Sequence, residues 1–200
     1  MKVIDVHAHC IIPEAMAMMG QKIAGDVKGQ AQQIIKFEER LGAMDAQGID
    51  MEALSINPTW YRLDRDMVSK VIPLQNEKLA ELCAKHPDRF VAYASLALQF
   101  PDLAVQQLET AVKKYGLKGA AIGGSVAGVD FSEAKFHPVW AKAEELDVTL
   151  FIQPTSNVYD AAKELLERYA AASTKVKLRI VDPERNLVEA QKLVDELQLS

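Results

Sequence analysis

The sequence contains few cysteines and no long apolar run. Two cysteines among 200 residues, Cys10 and Cys83, cannot form a disulfide framework, so a reducing, cytoplasmic setting is the simpler expectation. No apolar run approaches the roughly 20 residues that span a bilayer, and we expect no signal peptide before the first predicted strand. These absences argue against a disulfide-stabilised secreted fold and against a membrane protein.

A strong charge of either sign is also lacking. The net charge of −5 is mild and argues against nucleic acid and anionic membrane surfaces as partners. Hydrophobic residues make up 49% of the chain and charged residues 26%, which is typical of a globular protein. A chain of 200 residues is long enough for a real core, so we expect residues 1–200 to form one domain.

Strand and helix signals alternate along the chain. Predicted strands cover residues 2–8, 51–56, 90–98, 119–122, 148–152 and 175–181, and predicted helices cover 33–47, 65–85, 103–115, 138–146, 159–172 and 187–197. Gly48 and Gly116 are natural helix ends, whereas Pro73 is expected to bend or split its helix. This alternation predicts an α/β fold with a parallel sheet and helices outside it. About six strand–helix units are too few for a closed eight-stranded barrel of about 250 residues, which leaves an incomplete barrel or a doubly wound sheet.

The first predicted strand ends in two histidines that are separated by one residue. Side chains alternate between the faces of a strand, so His7 and His9 should project to the same side. Two imidazoles at one strand end can bind a single metal ion. The same pair also occurs as ordinary polar residues where a strand leaves the core, and the spacing does not decide between these interpretations.

Other chemically useful residues follow the later strands. The functional site of a parallel α/β fold lies beyond the carboxyl ends of its strands, where the sequence places Asn57, Gly123, Gly124, Gln153 and Asp182. The two glycines allow either a plain turn or the close approach of an anion. A carboxylate from Asp182 with two histidines would hold zinc or a similar ion, although an aspartate before a proline is also a common helix start. Gln153 is a poor zinc ligand and is equally an ordinary strand-end residue.

Six short motifs occur in a characteristic order. They are Ile-Asp-Val-His-Ala-His at 4–9, Met-Asp-Ala-Gln-Gly-Ile-Asp at 44–50, His-Pro-Asp-Arg-Phe at 86–90, Gly-Ala-Ala-Ile-Gly at 119–123, Phe-His-Pro-Val-Trp at 136–140 and Phe-Ile-Gln-Pro at 151–154. In order and spacing they resemble the amidohydrolase-2 group of the amidohydrolase superfamily, which includes aminocarboxymuconate-semialdehyde and resorcylate decarboxylases. The resemblance covers residues 2–155 and implies a shortened or incomplete TIM barrel. Residues 156–200 are then a divergent or remodelled part of the same domain.

The resemblance also implies a divalent-metal site. His7 and His9 match the group's first two metal ligands, and Gln153 stands where the group has a histidine as third ligand. Asp182 is a loose match to the aspartate that ends the group's last strand. The implied cofactor is zinc or, as second choice, manganese, and the altered third ligand puts its retention in question. The group's acid/base histidine lies beyond the fifth strand, but no histidine follows His137, so the catalytic residues remain unassigned.

Two hypotheses follow. The first is a metal-dependent hydrolase or non-oxidative decarboxylase of a small carboxylated substrate, in which Arg62 or Arg65 meets the carboxylate, although the sequence does not single out either. The second is a catalytically inactive truncated, chimeric or engineered barrel scaffold. An incomplete barrel leaves a sheet edge exposed, so we expect the chain either to form a homo-oligomer through that edge or to rearrange and cover it.

Overall fold

The computed structural model describes residues 2–21 and 36–153, and within these ranges strands and helices alternate. The strands are β1 (Ile4–His9), β2 (Met51–Ser55), β3 (Phe90–Ala92), β4 (Gly119–Gly123) and β5 (Thr149–Gln153). The helices are α1 (Pro13–Met18), α2 (Phe37–Gln47), α3 (Arg65–Lys85), α4 (Pro101–Lys113) and α5 (His137–Glu145), the last preceded by a 3-10 turn, Ala134–Phe136. The predicted strand at 175–181 and helices at 159–172 and 187–197 lie outside the described residues, as does Asp182.

The described strands follow one another in chain order across a parallel sheet. Strand β2 pairs in parallel with both β1 and β3, and β4 pairs in parallel with β5. A single parallel bridge between Ala94 and Ala120 joins the two groups. A doubly wound sheet would reverse its strand order at a switch point, whereas a TIM barrel adds strands in sequence. The order therefore corresponds to part of a barrel, and the doubly wound alternative is wrong.

The helix ends agree with the sequence signals, with one exception. Gly48 and Gly116 adopt left-handed backbone conformations, with φ of 70° and 68°. Gly48 ends α2, and Gly116 ends the short segment that follows α4. Of the two outcomes expected at Pro73, a bend or a split, the split is wrong, because α3 continues as one helix from Arg65 to Lys85. Pro73 has no N–H to donate to the Ser69 carbonyl oxygen, but both residues are exposed, so water can donate to that oxygen instead.

Two hydrophobic clusters distinguish the outer face of the sheet from its inner face. The larger cluster packs the helices against the strands and includes Trp60, Ile72 and Leu108, all fully buried. The smaller cluster consists of Ala53, Tyr93 and Ala121, with Val91 and Phe151 packed against them. All of these residues lie on strands except Tyr93, which directly follows β3. Because the small cluster includes no residue of a described helix, we call its side of the sheet the inner face.

None of the helices within the described ranges is both long enough and apolar enough to cross a membrane.

Candidate metal centre

His7 and His9 lie next to each other at the carboxyl end of β1, as strand alternation predicts. Their ring centroids are 4.6 Å apart, and the ring planes meet at 72°. The pairing of β1 with β2 is irregular between Asp5 and Ala8, and the His7 N–H donates to Asp5 Oδ1 at 3.0 Å. Such irregularities redirect side chains and are common beside functional sites. Both imidazoles are thus presented together where the strand ends.

His9 is the less exposed of the two histidines and is oriented by Ser55. Its Nδ1 lies 3.4 Å from Ser55 Oγ, and the two residues are partners in the β1–β2 register. With Nδ1 turned to Ser55, Nε2 is the ring nitrogen left for a metal ion. Partial burial, followed by the charges of His7 and Arg40, lowers the pKa of His9 below its ordinary value. The imidazole is therefore mostly neutral at pH 7, which is the form that binds metals.

Gln153 approaches the same serine from the far side of the described sheet. This glutamine is buried, and its Nε2 donates to Ser55 Oγ at 2.6 Å. Its Oε1 is also buried, yet it has no hydrogen-bond partner among the described residues. A buried acceptor without a donor costs about 1–3 kcal/mol, so such an atom is a natural place for a cation or an external donor. The structure therefore brings His9 and Gln153 together through Ser55.

Ser55 is a site residue that the sequence reading missed. The signal that could have found it is modest: it is the polar last residue of β2, a strand buried along its whole length. Its functional meaning depends on contacts with partners that are 46 and 98 positions away.

An aromatic surface borders the two histidines. The ring centroid of His7 is 5.3 Å from that of Phe151, which stacks on Tyr93 at 5.3 Å with nearly parallel planes. Burial raises the pKa of the Tyr93 phenol, so it stays neutral at physiological pH. An apolar aromatic surface beside two imidazoles can accept a flat ring while keeping water away from it.

A buried ion pair supports the end of β1 from outside. Arg40 on α2 donates from Nε to Glu52 on β2 and from Nη1 to the His9 carbonyl oxygen at 2.7 Å. Both charged side chains are nearly inaccessible to solvent. Burial raises the pKa of Glu52, and the hydrogen bond and charge of Arg40 oppose that shift. The pair therefore ties the backbone of a candidate ligand to two other elements.

The remaining predicted site residues, Asn57, Gly123 and Gly124, are not among the candidate metal ligands. Asn57 is exposed in the loop after β2, where its carbonyl oxygen accepts a hydrogen bond from the Thr59 N–H at 2.8 Å. A Cβ atom at Gly123 would lie 3.2 Å from Pro58 Cγ and 3.3 Å from Tyr61 Cε2. The close approach that the glycine permits is thus made by the chain's own loop rather than by an anion, and Gly124 is buried beside it.

The described residues offer a mixed donor set for a divalent ion. No group of three His, Cys, Asp or Glu side chains with metal-binding geometry occurs within residues 2–21 and 36–153. The His9 ring and the Gln153 amide nitrogen nevertheless share Ser55 as a partner, and the His7 ring lies 4.6 Å from that of His9. Imidazole nitrogen suits zinc and related ions, and carbonyl oxygen suits manganese and magnesium. The set fits a divalent ion that accepts both nitrogen and oxygen.

Comparison with known proteins identifies the family. The amidohydrolase family model, of the second amidohydrolase group, matches residues 4–185 and so continues past the last motif. Gamma-resorcylate decarboxylase from Rhizobium radiobacter is 32% identical over 179 residues, which cover 82% of this chain and 55% of that protein. The solved 2,6-dihydroxybenzoate decarboxylase from Rhizobium is 31% identical with a TM-score of 0.65, over 82% of this chain and 55% of that one.

A further solved relative contains a metal. Dihydroxybenzoic acid decarboxylase from Polaromonas sp. JS666, with bound manganese and the inhibitor 2-nitroresorcinol, is 26% identical with a TM-score of 0.64. The alignment covers 86% of this chain and 55% of that one. The chain spans about half the length of the relatives it matches. Its parallel strands and these neighbours confirm a fold derived from the TIM barrel, and the family match shows that the chain belongs to the amidohydrolase-2 group of amidohydrolases.

Proposed function

We propose that this protein is a divalent-metal-dependent decarboxylase that acts on a small carboxylated aromatic compound. The observation that carries the proposal is the convergence of His7, His9 and the unpartnered Gln153 oxygen at the carboxyl ends of β1 and β5. The relatives support the reaction class, since those reported above are decarboxylases of dihydroxybenzoates. Hydrolysis, the other reaction expected for the group, is not the activity named for any of these three relatives.

The proposed metal ligands are His7, His9 and Gln153, with Asp182 expected as a further ligand from outside the described residues. Manganese is the first ion to test, because a solved relative contains it, and zinc is the second. A divalent ion at such a site polarises a substrate oxygen. Ser55 would hold the His9 ring in orientation, and the Phe151–Tyr93 stack would receive the aromatic ring of the substrate.

A scaffold without catalytic activity is the second candidate. It is favoured by one observation, namely that a glutamine stands at the position where the family resemblance places a histidine ligand. A carboxamide oxygen is a weaker ligand than an imidazole for most transition metals. Such a protein would keep the fold and a weak metal site, but it would not turn over substrate.

Metal content and CO₂ release, measured together, separate these candidates. The purified full chain, loaded with Mn²⁺ or Zn²⁺ and freed of excess ion, is analysed by inductively coupled plasma mass spectrometry and assayed for CO₂ release from 2,6-dihydroxybenzoate. The decarboxylase proposal expects near-stoichiometric metal and metal-dependent CO₂ release, both lost in a His7→Ala/His9→Ala variant. A His86→Ala/His137→Ala variant is the matched control, because it removes the other two histidines.

The alternative outcomes are equally informative. Bound metal without CO₂ release favours the scaffold. Equal metal content in the two double variants would refute the assignment of His7 and His9. A Gln153→His variant should bind metal about tenfold more tightly if residue 153 is a ligand, because imidazole replaces the carboxamide.

A further inference from the structure

A polar cavity lies between the loops that follow β2 and β4. Its volume is about 260 Å³, and it is lined by Pro58, Thr59, Tyr61, Arg62, Ser125, Ala127 and Gly128. The lining contains one guanidinium and three hydroxyl groups, and none of these seven residues is acidic. We call this cavity the Arg62 pocket. Its composition favours an anion over a cation or a neutral apolar ligand.

Arg62 differs from the other arginines of the described ranges. Arg40, Arg65 and Arg89 each form an ion pair with a carboxylate, whereas Arg62 has none there. Of the two arginines that the sequence offered for a substrate carboxylate, Arg62 is the one without an ion pair in the described ranges. Arg65 is held by both carboxylate oxygens of Asp102, and Arg62 faces the pocket.

Tyr61 contributes a second donor. Its hydroxyl oxygen accepts a hydrogen bond from the Gly123 N–H at 3.2 Å, and no described residue accepts its own hydrogen. Burial raises the pKa of this phenol, so the hydroxyl keeps its proton at any physiological pH. The hydroxyl groups of Thr59 and Ser125 likewise have no hydrogen-bond partner among the described residues. Each of these groups belongs to a residue that lines the pocket and has a hydrogen left to donate.

Two features hold the walls of the Arg62 pocket in place. On one side, Pro58 and Tyr61 pack closely against Gly123, which leaves little space for a side chain at that position. On the other side, Val126 and Val129 exchange backbone hydrogen bonds of 3.1 and 2.9 Å across a tight turn. Ala127 and Gly128 form that turn with positive φ angles of 52° and 84°. A pocket with defined walls binds with less loss of conformational entropy.

The backbone places the Arg62 pocket next to the metal centre. Gly123, whose N–H binds Tyr61, is the register partner of Gln153 in the β4–β5 pair. The pocket wall and the candidate ligand therefore lie on neighbouring strands, at the same end of the sheet. A small molecule whose polar group reaches Arg62 would have its remaining part at this end as well.

We propose that the Arg62 pocket binds the carboxylate of a small organic acid, with Arg62 as the counter-ion and the pocket hydroxyls as further donors. The inference deepens the proposed function and rests on it for the kind of acid. It makes Arg62 the residue that selects carboxylated over uncharged ligands.

Isothermal titration of the metal-free full chain tests this inference separately from the metal site. The probes are 2,6-dihydroxybenzoate and resorcinol, which has the same ring and hydroxyl groups but no carboxylate. We expect Arg62→Ala to weaken binding of the acid at least about tenfold and to leave resorcinol binding unchanged, because a charge-assisted bidentate contact is lost. Arg62→Lys should keep the charge and lose only part of the affinity. Arg65→Ala is the matched control and should change the affinity for the acid less than about twofold, because its partner is Asp102.

Three results would overturn the inference: no measurable binding of the acid to the parent protein, equal affinity in the parent and in Arg62→Ala, or an equal loss in Arg65→Ala. Circular dichroism of each variant reports its folding, and the exposed position of Arg62 leads us to expect none of them to misfold. If no metal binds but the Arg62 effect is present, the proposed decarboxylase fails and the carboxylate pocket stands. If metal binds and Arg62→Ala has no effect, the pocket assignment alone fails.

Discussion

The buried Arg40–Glu52 pair provides the most direct test of how the end of β1 is held. The Arg40→Met substitution would leave Glu52, which is only 6% exposed, without its hydrogen-bonded counter-ion, and the His9 carbonyl oxygen without its 2.7 Å donor. Removing one partner of a buried ion pair typically costs about 3–5 kcal/mol. The unpaired carbonyl adds about 1 kcal/mol or more. We therefore expect the free energy of unfolding to fall by at least about 4 kcal/mol, which is much of the 5–15 kcal/mol typical of a domain.

Urea unfolding followed by tryptophan fluorescence at pH 7 measures this loss. The unfolding midpoint should fall while the dependence on urea stays the same, because the fold is weakened but not expanded. The double variant Arg40→Met/Glu52→Leu should recover about 2 kcal/mol or more, since no buried charge is then left unpaired. Arg65→Met is a matched control, because its pair with Asp102 is exposed and should be worth at most about 1 kcal/mol. A loss under about 1 kcal/mol in Arg40→Met, or a double variant no more stable than the single one, would refute the reasoning.

Three further predictions follow from the described contacts. Ser55→Ala should weaken metal binding about 10- to 100-fold, measured by Mn²⁺ titration, because the hydroxyl that orients His9 and binds Gln153 is lost. Gly119→Ala places a Cβ atom 1.9 Å from a backbone oxygen of β5, at a φ of 129°. This variant should lower the free energy of unfolding, measured in urea, by more than about 3 kcal/mol. Gly42→Ala, in open space within α2, should instead raise it by up to about 1 kcal/mol. Burial raises the pKa of Cys10 from 9.0 to about 12, so its thiol stabilises the fold below pH 9 and this contribution is lost as the pH rises from 9 towards 12. In Cys10→Ala the unfolding free energy should therefore fall less steeply over that pH range, by up to about 1.4 kcal/mol per pH unit.

Each of these predictions has an outcome that contradicts it. Unchanged Mn²⁺ affinity in Ser55→Ala would show that the serine does not orient a ligand. Similar unfolding midpoints for the two alanine variants of glycine would mean that the β4–β5 contact is not tight. An identical pH slope with and without the thiol would show that Cys10 ionises as easily in the folded protein as in the unfolded chain.

Local sequence patterns predicted the helices and strands, because helix caps and runs of apolar residues act over only a few positions. The bounds of α3 were predicted to the residue, and Asp64 caps this helix by accepting a hydrogen bond from the Met67 N–H at 2.8 Å. The apolar runs of β2 and β4 are buried along their whole length, as continuous runs in a parallel sheet should be. The third strand is the exception: it was predicted over 90–98 and ends at Ala92, because only Ala94 beyond it bridges to the next strand.

The sequence by itself determined that His7 and His9 lie together, because side chains two residues apart on a strand project from the same face. It also pointed to Gln153 at a strand end. The tertiary structure decided what these residues contact. Ser55 meets a glutamine 98 positions away, and Arg65 rather than Arg62 is neutralised by Asp102, 37 positions away. Periodicity and caps act over a few residues, whereas these contacts depend on how the strands and loops pack, and that packing is what distinguishes an arginine bound in an ion pair from one that faces a pocket.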